Sequence, residues 1–194
     1  MTFFEMSLAL WRRLYFDGIC IVTSFALWCH LHCEVVCILM VFVLLRRLHY
    51  DVTCIVTSFV FWWYLYCYVV CILMSHALWR RLYFDGICIV TSFALWCHLH
   101  CEVVCILMVF VLLRRLHYNF PCIVTSFVFW WYLYCYVVCI IMSLALWRRL
   151  YFDGICIVTS FALWCHLHCE VVCILMVFVL LRRLHYDVTC IVTS

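Results

Sequence analysis

The chain is one sequence written almost three times. Met6–Leu73 recurs as Met74–Ile141 with five changes in 68 positions, and the unit begins again at Met142 and runs unchanged to Ser194. Whatever local structure one copy adopts, the next copy must adopt as well, so a motif present three times is one observation repeated. A weaker period of 34 lies inside each copy. It is marked by the pairs Arg12-Arg13, Arg46-Arg47, Arg80-Arg81, Arg114-Arg115, Arg148-Arg149 and Arg182-Arg183. A stacked solenoid is the first architecture such a period suggests, but its units usually turn a polar face to water. This unit offers apolar runs bounded by Arg-Arg, so the period reads as the spacing of membrane spans.

Composition supports that reading. Apolar residues make up 72% of the chain and mean hydropathy is +1.24, whereas soluble domains are near half apolar. A soluble domain of this length has too little interior to hide so much apolar surface. All twelve basic residues are Arg, confined to the six pairs. They form no basic face of the kind nucleic acid requires. The 19 cysteines are odd in number and most lie inside apolar runs. They read as small buried hydrophobes rather than as a disulfide scaffold. The N-terminal stretch has no basic region and carries Glu5, which argues against a cleaved signal peptide and leaves the first span free to act as an uncleaved anchor.

The fold expected from these signals is an all-α integral membrane protein of about five transmembrane helices in a single repetitive region. The candidate spans are 19–45, 52–74, 87–113, 120–142 and 155–181. Val52–Ser75 carries no charge over 24 residues and Leu116–Trp147 none over 32, and about 20 apolar residues cross a bilayer. In 19–45 the centre is polar (HLHCE). The flanking Leu, Ile, Val and Phe contribute about −0.3 to −0.6 kcal/mol each and outweigh the ~3 kcal/mol of an ionised acid. Trp11, Tyr15, His49 and Tyr50 beside the Arg pairs resemble a headgroup layer. Successive pairs fall on opposite faces, so the positive-inside rule selects no orientation. Against helices stand Phe61-Trp62-Trp63-Tyr64 at mid-span and the abundance of Val, Ile, Thr and Cys, which suit strands. A β-rich or poorly ordered hydrophobic repeat is therefore the alternative. Helices are preferred because the runs lack polar–apolar alternation and are too long for a barrel strand.

One cluster carries potential ligands. In Cys29-His30-Leu31-His32-Cys33-Glu34 with Cys37, a helix would place His30, Cys33, Glu34 and Cys37 within about 100° of one another. The copies are His98, Cys101, Glu102 and Cys105, then His166, Cys169, Glu170 and Cys173. Thiolate and imidazole suit zinc or copper(I). The plainer reading needs no cofactor: a protonated Glu34 and a small-residue packing stripe of Cys. No phosphate loop, nucleophile elbow or metalloprotease motif is present, so no catalytic activity is expected. The function expected is that of a multi-span membrane protein partnered by the lipid bilayer and by its own copies through self-association. Two alternatives stand beside it. One is a small ion, proton or metal conduit. The other is a translated tandem-repeat reading frame, since each of the five differences is reachable by one base change.

Overall fold

The computed structural model describes residues 2–10, 13–28, 30–45, 47–113, 115–180, 184–186 and 189–193. Within them the chain is strand throughout, joined by short bends. Every ladder is parallel and every register advances by the same step. Thr2 pairs with Ile19, Ile19 with Val36, Val36 with Thr53, and so on to Val172 with Thr189. Each residue thus lies beside the one 17 further along. The chain winds as a parallel β-solenoid of about eleven turns, the eleven steps of 17 from Thr2 to Thr189. The 34-residue period is two turns and the 68-residue unit is four.

One turn illustrates the rest. Ile87–Cys101 runs as a strand, Glu102-Val103 bends, and Val104–Leu113 begins the next level. Cys88, Val90 and Ser92 face inward with the two-residue period of a strand. The alternation then slips, and Leu95, Cys97, Leu99 and Cys101 face inward instead. The slip occurs at Phe93, which the ladder skips: Ser92 pairs with Val109 and Ala94 with Val111. The Ser92 hydroxyl donates to the Ala94 carbonyl across this corner at 2.9 Å, the short-range bond by which Ser favours bends. Ser24 and Ser160 do the same. At the other bend the Glu102 amide donates to the Phe84 carbonyl at 2.9 Å and the Ile87 amide to the Val69 carbonyl at 2.8 Å. The level below thereby satisfies backbone groups that a bend would otherwise leave unpaired.

The Asp-Gly bends sit closest to that level. A Cβ on Gly86 would lie 2.0 Å from the Val69 carbonyl oxygen, and one on Gly154 1.9 Å from that of Val137. Only glycine permits the approach. Inside, Cys, Val, Leu, Phe and Tyr stack in columns that form one continuous core. Outside, Phe25, Phe42 and Phe59 stack at 4.9 Å centroid spacing, and Trp62, Trp79 and Trp96 at 5.0 and 5.2 Å.

This architecture overturns the helical expectation. Over their described residues, the proposed spans 19–45, 52–74, 87–113, 120–142 and 155–181 are strands and bends that lead from one solenoid level to the next. No helix among the described residues is long and apolar enough to cross a membrane, a statement about helices alone. The expectation of an all-α, multi-span integral membrane protein with transmembrane helices is corrected accordingly. Its error lay in demanding polar–apolar alternation of a strand. Parallel strands with apolar residues on both faces read as continuous hydrophobic runs, and the outer columns here are Phe, Trp, Met and Val. The polar HLHCE segment, placed at mid-span, in fact approaches the Glu34-Val35 bend.

Candidate metal centre

The step of 17 aligns cysteine with cysteine. Cys20, Cys37, Cys54, Cys71, Cys88, Cys105, Cys122, Cys139, Cys156 and Cys173 all face the interior and pair in register level by level. Neighbouring strands are about 4.8 Å apart, so the thiols form a column along the solenoid axis. A second inward position, just before the bend, closes each gap in this column. It is filled in succession by Cys33, Tyr50, Cys67, Phe84, Cys101, Tyr118, Cys135, Phe152 and Cys169.

Wherever that position is cysteine, three thiols converge. The sets are Cys20/Cys33/Cys37, Cys54/Cys67/Cys71, Cys88/Cys101/Cys105, Cys122/Cys135/Cys139 and Cys156/Cys169/Cys173, each buried with its sulfurs within 4.8 Å of one another. Sγ–Sγ separations include 2.9 Å for Cys20–Cys37, 3.6 Å for Cys20–Cys33, 3.2 Å for Cys54–Cys71 and 3.7 Å for Cys122–Cys135. No disulfide joins the described cysteines. A metal–sulfur bond of about 2.3 Å requires sulfurs about 4 Å apart in a planar three-coordinate site. The triads reach that spacing by opening a fraction of an ångström to about one.

Within four triads the thiol at the bend is the acidic one. Cys33 is lowered to about 6, first by hydrogen bonding from Cys37, then Cys20, with the Val35 amide assisting. Cys67, Cys101 and Cys135 are each lowered to about 4, chiefly by the stacked thiols Cys54, Cys105 and Cys122 respectively. Their partners move the opposite way: burial pushes Cys54, Cys71, Cys88, Cys105 and Cys139 up. One thiolate held by two thiols is the physical picture of such a set. The fifth triad departs from it, since burial raises Cys169 to about 11.

The ligands expected from sequence divide between two places. Cys33 with Cys37, Cys101 with Cys105 and Cys169 with Cys173 each lie in a triad. His30, His98 and His166 have the opposite parity and face outward, while Glu34, Glu102 and Glu170 are exposed at the bend. Glu102 pairs there with His100 at 3.3 Å. Sequence reasoning missed Cys20, Cys88 and Cys156 and two whole triads, Cys54/Cys67/Cys71 and Cys122/Cys135/Cys139. The signal that finds them is a cysteine at every seventeenth position from Cys20 to Cys190. The chain matches no protein-family model, no curated protein and no solved structure.

Proposed function

We propose that this chain is a soft-metal-binding β-solenoid that holds thiophilic ions, copper(I) foremost, in its buried cysteine triads. The observation that carries the reading is the recurrence of three converging, buried thiols at five levels of one core. Thiolate ligands select copper(I) and zinc among biological metals. Structural zinc sites almost always complete a tetrahedron with a fourth ligand, and His30 and Glu34 are turned away from the thiols. A three-coordinate ion is therefore the better fit. Each ion displaces thiol protons as it binds. The acidic thiol at Cys33, Cys67, Cys101 and Cys135 supplies the first negative charge.

The test is anaerobic titration of the full chain with copper(I), read by metal content after gel filtration. Uptake in proportion to the triads is expected. Replacing Cys54, Cys67 and Cys71 together by Ser should remove the ion of that triad and leave the others. Uptake no greater than that of the same chain with alkylated cysteines would overturn the reading. A second reading, translation of repeat DNA without a selected role, is favoured by the near-identity of the copies. It predicts that no native protein of this mass is found by peptide mass spectrometry.

A further inference from the structure

The gaps between triads are of two kinds, and the difference lies in a single hydroxyl. Tyr50 is fully buried and fills the gap between Cys37 and Cys54, while Tyr118 fills the one between Cys105 and Cys122. Neither phenolic oxygen makes a hydrogen bond of full geometry; the weak contact each makes is to a thiol, Tyr50 to Cys37 and Tyr118 to Cys105. A buried polar atom left unpaired costs about 1–3 kcal/mol, and phenylalanine serves the same place at Phe84 and Phe152 without that cost. The thiols of Cys37 and Cys54 are the principal electrostatic neighbours of Tyr50, as those of Cys105 and Cys122 are of Tyr118. The register thus sets each tyrosine ring beside two stacked cysteines that belong to different triads.

We propose that the tyrosine gaps are additional metal sites, in which one copper(I) ion bridges Cys37 and Cys54 beside Tyr50, and another bridges Cys105 and Cys122 beside Tyr118. This rests on the triad reading and deepens it. Two loaded triads each set three thiolates against one copper(I), so net negative charge accumulates on either side of the gap. A third cation between them offsets it. The ion bonds to the Cys37 and Cys54 sulfurs, already deprotonated by the triads, and no further proton leaves. The Tyr50 hydroxyl remains protonated and donates to one of the bridging sulfurs, a charge-assisted bond of the stronger class. At Phe84 the paired thiols Cys71 and Cys88 meet no such donor. The result is two three-ion groups, Cys20 to Cys71 and Cys88 to Cys139, separated by the Phe84 ring.

Native mass spectrometry of the full chain, loaded anaerobically with copper(I), tests this. The Tyr50→Phe/Tyr118→Phe double variant should carry two ions fewer than the parent chain while keeping those of the triads. Both substitutions remove only a hydroxyl in weak contact with one thiol, so the fold should survive, and unchanged circular dichroism checks it. Phe84→Tyr should carry one ion more. The parent should also fill three ions at a time within a group, because the bridging sulfurs are shared, whereas the double variant should fill singly. A double variant carrying as many ions as the parent overturns the bridging sites and leaves the triads standing. A parent chain that carries no copper(I) removes the triad reading and the bridging sites with it.

Discussion

Two columns climb this solenoid with the same step of 17, and they are built on opposite terms. The inner one repeats a single residue, cysteine, at each level from Cys20 to Cys173. The outer one, beside the bend, mixes imidazole and phenol in pairs. His32 stacks on His49 at 4.7 Å, His49 on Tyr66 at 5.2 Å, and His117 on Tyr134 at 5.3 Å. Tyr134 donates to Asp153 at 2.7 Å, and Tyr66 donates to Asp85. Flat rings of different chemistry share the outer column because stacking on a half-solvated face asks for shape more than identity. Interior positions are dry and close-packed, so each keeps its volume from one copy to the next. The differences between copies follow this division. Leu8/His76, Val52/Phe120 and Thr53/Pro121 fall at outward or bend positions, Asp51/Asn119 at the bend. The one core change, Leu73/Ile141, conserves volume.

The sharpest way to break this division uses two identical residues on one strand. Phe129 is 1% exposed and Phe127 is 47% exposed. Phe129→Ala should destabilise by about 3–5 kcal/mol through the cavity it opens. Phe127→Ala should change stability by about 1 kcal/mol or less, as exposed substitutions do. Urea unfolding of both variants measures the contrast. Equal losses would mean that the outer columns are buried in an assembly this single chain does not show. The bends offer a second contrast. Gly86 and Val103 occupy the same place one level apart, where Ile87 pairs with Val104. Gly86→Ala drives a methyl into the Val69 carbonyl and should cost about 1–3 kcal/mol, whereas Val103→Ala, at an exposed position, should cost about 0.5 kcal/mol or less.

The sequence shows the long periods plainly and conceals the short one. Arg12-Arg13 and Arg46-Arg47 mark every second level, but Cys29-His30 and Trp63-Tyr64 stand at the levels between, so 34 is visible and 17 is not. Strands are concealed by the outer columns: Phe25, Met40, Phe42 and Phe59 are exposed and apolar, which erases the alternation that a half-buried strand displays. The candidate site was half legible. Cys33 and Cys37 are near in sequence, and any compact local structure brings them close; here the Glu34-Val35 bend does it. Cys20 joins them only through the register, 13 and 17 positions away, and local spacing holds no trace of that. The outward facing of His30 and Glu34 likewise follows from strand parity, which a helical reading replaces with the wrong geometry.

The outer column also titrates, and the smallest effect expected is found there. His117 lies with its Nδ1 3.1 Å from that of His100, stacked on Tyr134 and edge-on to Tyr136 at 5.7 Å. Burial holds its pKa below the ordinary value of 6.5, with the neighbouring His100 charge adding to the effect and Cys135 opposing it. A histidine depressed in the folded state takes up its proton more readily when unfolded. Its contribution to stability is therefore complete above pH 6.5 and is lost as pH falls through the folded value. The acidic thiols of the inner column also lose stability as pH falls, but they do so equally in parent and variant, so the difference between the two isolates His117. His117→Tyr installs the ring already present one level on at Tyr134 and removes the proton site. The variant and the parent should have equal melting temperatures at pH 8, and the variant should melt higher than the parent at pH 5. A parent that gains stability relative to His117→Tyr on acidification would show that His117 is held charged, by an acidic group the column does not otherwise reveal.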